Sequence, residues 1–326
     1  MLKLTLTAQS FPIAGTFTIS RGSKTSADVV VVTLAAGYHK GWGEAVPYAR
    51  YHESVSQCLA ALESVRARIE SGINRAELPE LALPKAAQNA LDCALWDLQS
   101  KQTGKPVWAL AGLPEPQPKV TAFTLSLDTP ALMAEAAQKA SHMPLLKLKL
   151  GRDGDEQRIA AIRASAPDAR LIVDANEGWN QSNVEHMLAC CAHHGVELVE
   201  QPLPQNQDDA LLQIKSQLLI CADESAHGAG GLSTLKGKYT AVNIKLDKTG
   251  GLTEALYMAT EAKAHNFKIM VGCMLASSLA MAPAFLVAQM ADYVDLDGPL
   301  LLSHDRQPAI NYVRGLMHPA AAALWG

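Results

Sequence analysis

The chain has no basic run and no interleaving of basic with aromatic residues, and its formal net charge is −4. A nucleic-acid partner is therefore not expected. No stretch approaches 18 uninterrupted apolar residues, so no membrane span is expected. Residues 1–7 alternate like a strand and lack the apolar core and cleavage site of a secretory signal. None of the six cysteines (Cys58, Cys93, Cys190, Cys191, Cys221, Cys273) forms a Cys-x-x-Cys pair, and most lie inside apolar runs. Reduced, buried thiols in a cytoplasmic protein follow from that pattern, rather than a disulfide framework. The histidines show one adjacent pair, His193-His194, and no His-x-x-x-His spacing, which argues against zinc. The glycine-rich stretch His227–Gly231 lacks the spacing of a phosphate-binding loop.

What is present is a repeating order. In Leu145-Leu146-Lys147-Leu148-Lys149-Leu150, side chains alternate, so both lysines share one face and the even-numbered leucines the other. Lysines in an apolar strand either mark a solvated face or need partners. Four further apolar runs end in Asp174, Glu200, Asp223 and Lys245, at intervals of roughly 22–26 residues, enough for a helix in each gap. This is the pattern of βαβ units in a parallel sheet. With Val120–Leu127 before them, and Lys268–Gly272 and Tyr293–Asp297 after, the strands number eight. At 326 residues the chain exceeds the roughly 250 of a bare barrel. The expected fold is α/β: a modified (β/α)8 barrel over residues 116–300, with an α+β capping domain over 1–115. The segment 301–326 is expected to pack back on the capping domain.

In such a barrel the strand ends share one mouth. Asp174, Glu200 and Asp223 would converge there, and three carboxylates that close repel unless a cation separates them. An all-oxygen set with room for water suits Mg²⁺. Three unrelated acids that cap helices or pair with lysines would be the bland reading. Lys149 and Lys245 would face each other across the ring, and a nearby cation lowers a lysine's pKa so that it can act as a base. Asp247 and Lys248 read as a salt bridge outside the mouth. Asn176 either orients a neighbouring acid or caps the next helix. Asp295 and Asp297 could hold a substrate ammonium, or simply form a turn with Gly298-Pro299.

These residues resemble the enolase superfamily, in its muconate-lactonizing-enzyme-like branch, and within it the dipeptide epimerases. The resemblance rests on Lys147-Leu148-Lys149, Asp174-Ala175-Asn176-Glu177, Glu200-Gln201-Pro202, Asp223-Glu224-Ser225, Asn243–Gly251, Asp295–Pro299 and the helix Ala90–Leu98. It implies Mg²⁺ on Asp174, Glu200 and Asp223 as the cofactor, binding a dipeptide's terminal carboxylate and stabilising an enediolate. It implies Lys149 and Lys245 as the two bases of a 1,1-proton transfer, with Lys147 on the carboxylate and depressing the pKa of Lys149. Asp295 and Asp297 would hold the amino terminus, with Thr124 and Asn176 in support. Relatives specific for glutamate are expected to carry arginine at the place of Lys24, which keeps the charge but not the bidentate fork. A homo-oligomer and a role in reworking muropeptides are further expectations. N-acylamino acid racemisation, o-succinylbenzoate synthesis and cycloisomerisation are the alternatives within the branch. A non-catalytic small-molecule-binding barrel is the alternative from another class.

Overall fold

The computed structural model describes residues 2–326. The strands β1 (Lys3–Ile19), β2 (Gly22–Ala36) and β3 (His39–Ala45) form an antiparallel sheet in the order β1-β2-β3. The first strand runs well past the alternating stretch that ends at residue 7, continuing through a register shift between Pro12 and Phe17. The valine run of β2 serves two cores. Val30 and Val32 face the helices of the capping unit, while Val29 and Val31 belong to the main core shared with the barrel. The helices α1 (Val55–Ser64), α2 (Arg66–Glu70) and α3 (Lys85–Thr103) cover the sheet, and the short α4 (Val107–Leu110) follows. Gly41 and Gly43 let α3 lie directly on β3, since a Cβ at either would run into the backbone of Ala94 or Ala90.

Two-residue β4 (Lys119–Val120) precedes the barrel strands: β5 (Phe123–Leu125), β6 (Leu145–Lys149), β7 (Arg170–Asp174), β8 (Val196–Glu200), β9 (Leu219–Ala222), β10 (Ala241–Ile244), β11 (Lys268–Gly272) and β12 (Tyr293–Asp295). They form one parallel sheet in sequence order. A hydrogen bond from Ala122 N to Val294 O, 2.8 Å, draws its two edges together. Even-numbered Leu146, Leu148 and Leu150 pack outward in the main core, while Leu145 joins Ile172, Leu198, Cys221, Ala241 and Met270 inside the ring. Lys147 and Lys149 therefore point into the barrel. All of β6 is buried, so the lysines lie on no solvated face.

Two expectations need correction. The segment expected as the first barrel strand is split, because β4 leaves the barrel sheet to pair with the C-terminal segment Leu316–Met317. The gaps also do not all hold α-helices. α5 (Pro130–Lys139), α6 (Asp155–Ser165), α7 (Val184–His193), α8 (Leu246–Thr249), α9 (Leu252–Ala264) and α10 (Ser278–Ala288) are α-helical. After β8 and β9, however, only 3₁₀ turns form, Asp208–Gln213 and Ala229–Leu235. Pro202 and Pro204 limit the first gap and the glycines of 228–231 the second.

The last residues reach in two directions. β13 (Tyr312–Val313) and β14 (Leu316–Met317) join β4 in a small antiparallel sheet. Arg306 bonds Glu44 of β3, Trp325 donates to the carbonyl of Cys93, and Gly326 N donates to Asp97. All six cysteines are free. No helix among the described residues is long and apolar enough to cross a membrane.

Candidate active site

A cavity of about 620 Å³ lies between the capping unit and the strand ends. Lys149, Asn176, Asp223, Lys245, Thr124, Asp295 and Asp297 line it from the barrel side, and Arg21, Lys24, Arg50 and Tyr51 from the cap. Lys147, Asp174 and Glu200 lie buried beneath this lining. Register explains their convergence: Lys149 is opposite Asp174 on β6 and β7, and Asp174 is opposite Glu200 on β7 and β8.

The charges interleave. Lys149 Nζ lies 2.6 Å from Asp174 Oδ2, and Lys245 Nζ lies 2.6 Å from Asp223 Oδ2 and 3.9 Å from Glu200 Oε1. Lys147 Nζ stands 2.6 Å from both Glu200 Oε2 and Asp295 Oδ2, and 3.3 Å from Asp174 Oδ2. Burial alone would lower the pKa of Lys147 and of Lys245. The surrounding carboxylates outweigh it and hold both well above the ordinary lysine value, Asp295 and Glu200 for Lys147, Asp223 and Glu200 for Lys245. Burial would likewise raise Asp174 and Asp223, but the lysines win and both are lowered. Glu200 is raised, by burial and then by Asp174, more than Lys147 can offset.

As the side chains lie, no three acidic, histidine or cysteine groups among the described residues stand close enough together to hold an ion. Ammonium groups occupy the positions between the acids. The donor set nevertheless fits a hard divalent cation, with three carboxylates from adjacent strands and no sulfur or imidazole. Glu200 Oε2 is also buried without a hydrogen-bond partner, because its close approach to Lys147 is not in hydrogen-bond geometry.

The acid pair leads into the 3₁₀ turn Gly298–Leu301 and also lines the cavity. Asp295 ends β12 with Oδ1 buried and without a hydrogen-bond partner. Asp297 lies just beyond the strand, and its Oδ2 accepts from Thr124 N at 2.6 Å. Burial, reinforced by Asp295, pushes Asp297 up to about 7. Lys147 and Asp295, expected to meet different ends of a substrate, are bonded to each other. Asn176 caps no helix, since α7 begins later with Asn183 at its N-cap. Instead Asn176 N donates to Asp174 Oδ1 at 2.9 Å, and its left-handed backbone (φ 46°) turns its carbonyl toward Ser20 and Arg21.

Lys24 lies at the start of β2, opposite Phe17, with Nζ 5.1 Å from the ring centre of Tyr48. Among the described residues it is the one lining cation of this cavity without an acidic partner. Arg21 is committed to Glu224 at 2.7 Å and to Glu177 at 3.3 Å, and Arg50 to Glu177 at 2.9 Å. No spacing in the sequence signals this clamp, because its partners lie far apart along the chain. Burial, then Asp223 and Asp174, pushes Glu224 up to about 7.

The salt bridge expected between Asp247 and Lys248 does not form. Neighbouring residues of a helical turn do not face each other. Asp247 Oδ1 accepts from Val46 N and Asn89 Nδ2 at 3.0 and 2.9 Å. Lys248 Nζ points to Asp223 Oδ1, 2.6 Å away.

Residues 131–321 match the family model described as enolase C-terminal domain-like, and residues 1–112 match that of the mandelate racemase / muconate lactonizing enzyme N-terminal domain. The chain belongs to the enolase superfamily. Among its superfamily relatives, the L-Ala-D/L-Glu epimerase of Escherichia coli (strain K12) is 44% identical over 312 residues, covering 95% of this chain and 97% of that one. An N-acetyl-D-glutamate racemase of a Pseudoalteromonas species is 45% identical over 301 residues, covering 91% and 95%. A solved enolase family member from Agrobacterium tumefaciens, described as homologous to dipeptide epimerases and holding sodium and L-Ala-L-Glu, is 50% identical with a TM-score of 0.98 over the whole of both chains. The dipeptide epimerase of Enterococcus faecalis V583, solved with Mg and L-Leu-L-Tyr, is 27% identical with a TM-score of 0.91, covering 99% of each chain.

Proposed function

We propose that this enzyme is a Mg²⁺-dependent dipeptide epimerase that inverts the α-carbon of the C-terminal residue, with Ala-Glu as the preferred type of substrate. The observation that carries the reading is the charge inventory of one cavity. It holds two lysines on well-separated strands, an acid pair with an unpartnered buried oxygen, and one uncommitted cation, Lys24. A dipeptide with an acidic second residue has complementary groups for each.

Asp174, Glu200 and Asp223 are the residues that would hold the cation. When bound, Mg²⁺ supplies Lewis-acid stabilisation of the charge that gathers on the terminal carboxylate as the α-proton leaves. With those carboxylates committed, Lys245 loses the partners that keep it protonated, as a base requires. Lys149 and Lys245 take and return the α-proton on opposite sides, which inversion needs. Asp295 Oδ1 and Asp297 receive the ammonium, and Lys24 receives the side-chain carboxylate. A charge-assisted contact of that kind contributes roughly 1.5–3 kcal/mol, or about 10- to 100-fold in preference.

A second reading, racemisation of an N-acylated glutamate, draws support from the Pseudoalteromonas relative, and it would use Lys24 in the same way. The two separate at the acid pair. A dipeptide library and N-acetyl-glutamate, incubated in deuterium oxide and followed by mass spectrometry, should show α-deuterium uptake first in Ala-Glu. Faster uptake by N-acetyl-glutamate would reverse the assignment of the acid pair. Lys24→Ala should lower kcat/KM for Ala-Glu while sparing a neutral dipeptide, and equal losses for both would remove Lys24 from the specificity site.

A further inference from the structure

We propose that Lys248 is a positioning residue that restricts Asp223 to a single metal-facing oxygen and so makes the site select a Mg²⁺-sized ion over Ca²⁺. The inference rests on the assignment of Asp174, Glu200 and Asp223 as the cation-holding set. Lys248 lies on α8, the one-turn helix after β10, three residues beyond Lys245. Its side chain is wholly buried. Nζ is held by three oxygens: Asp223 Oδ1 at 2.6 Å, the Asp223 carbonyl at 2.5 Å and the Asn243 carbonyl at 3.0 Å.

The two oxygens of Asp223 are thereby divided. Lys245 approaches Oδ2 from the cavity, and Lys248 takes Oδ1 from behind. Among the described residues Lys248 is the sole hydrogen-bond partner of Oδ1. Lys245 has a proposed part in the chemistry as a base, whereas Lys248 is absent from the lining of the cavity of about 620 Å³, borders a smaller one beside His227 and Asp247, and reaches the proposed metal site through Asp223. Its ammonium is also tied to the backbone of both flanking strand ends, so it cannot swing aside to free Oδ1.

Denticity matters because the two common hard cations differ in what they accept. Ca²⁺ takes six to eight oxygens and readily uses both oxygens of a carboxylate, whereas Mg²⁺ demands six at short, near-octahedral positions and keeps several waters. A carboxylate limited to one oxygen penalises Ca²⁺ and leaves Mg²⁺ satisfied. Removing the Lys248 charge should strengthen binding of any divalent cation, so the ratio of the two affinities, rather than either one, isolates the effect on denticity.

The test is calorimetric titration of the full-length protein with MgCl₂ and, separately, CaCl₂. Lys248→Met keeps the length of the side chain and removes the ammonium. It should move the Kd ratio toward Ca²⁺ by about tenfold or more relative to wild type. Lys248→Gln, which keeps a donor for the two carbonyls, should move it the same way and serves if the methionine variant does not fold. A ratio unchanged in the folded variant overturns the proposal. Wild-type protein that binds neither ion overturns the metal-site assignment itself, and the selectivity proposal with it.

Discussion

Lys149 and Lys245 are the residues on which the two-base reading stands most directly. Replacing Lys245 with alanine should stop interconversion of the epimers, yet Lys149 should still exchange the α-proton of one epimer with solvent. Chiral chromatography combined with deuterium incorporation reads both, and wild-type interconversion in that variant would end the assignment. Asp223→Asn should abolish turnover and the Mg²⁺ response together, with full activity after exhaustive chelation as the contrary result. At this scale the sequence was most legible where strand alternation dictates direction: Lys147 and Lys149 share the inward face of β6, Asp174 and Glu200 end β7 and β8, and Asp223 follows directly on β9. It was least legible at Lys248, where two adjacent opposite charges suggested a local pair. A single helical turn sends such neighbours apart, and only the fold reveals that a strand end more than twenty residues earlier supplies the partner.

Two loops of the cap are held by one carboxylate. Arg21, in the turn between β1 and β2, and Arg50, in the 3₁₀ turn after β3, both reach Glu177, which also accepts from Gln205 N at 3.0 Å. Glu177 lies in the left-handed region (φ 63°) directly after Asn176, three residues beyond Asp174. Arg50 makes the fork contact with both oxygens at 2.9 Å, a geometry that a lysine could not match. Glu177→Gln should therefore loosen the turn that leads into β2 at Lys24 and the 3₁₀ turn that carries Tyr51. Expected outcomes are a KM for Ala-Glu raised roughly tenfold with a smaller change in kcat, and faster amide exchange over residues 20–24 and 49–52. Arg50→Met should add little to Glu177→Gln in the double variant. Unaltered exchange in both loops would show that the clamp does not hold them.

The cap and the barrel are joined through buried acids, and these set how the whole molecule responds to pH. Asp247, at the start of α8, accepts from Val46 of the cap and Asn89 of α3, and burial pushes it up to about 7. An unfolded aspartate titrates near 4. The folded state therefore binds the proton more tightly, and this group costs nothing below about pH 4 but destabilises progressively as pH rises toward 7. Asp247→Asn should remove that penalty, raising stability by roughly 2–4 kcal/mol at pH 8 and by much less at pH 4. Urea midpoints at the two pH values measure it, and an equal shift at both would refute the ionisation argument. The barrel and its strand ends could be read from the spacing of apolar runs, because each run must be buried on both faces. The split of the first barrel strand and the two-way course of the tail could not, because β4, β13 and β14 are two-residue strands with no periodicity to read.

Asp297 lies at the seam where the first and last barrel strands meet. Besides the Ala122–Val294 bond, that seam is fastened by Leu296 N to Thr121 Oγ1 at 2.8 Å and by Thr124 N to Asp297 Oδ2 at 2.6 Å. The carboxylate proposed to receive the substrate ammonium is therefore also a rivet of the scaffold. Anyone redesigning this enzyme for amine-free substrates will meet that double duty. Alanine at 297 would alter selectivity and unfasten the ring in one stroke, whereas asparagine retains an acceptor for the Thr124 amide. Selectivity can thus be engineered here only along substitutions that leave the seam closed.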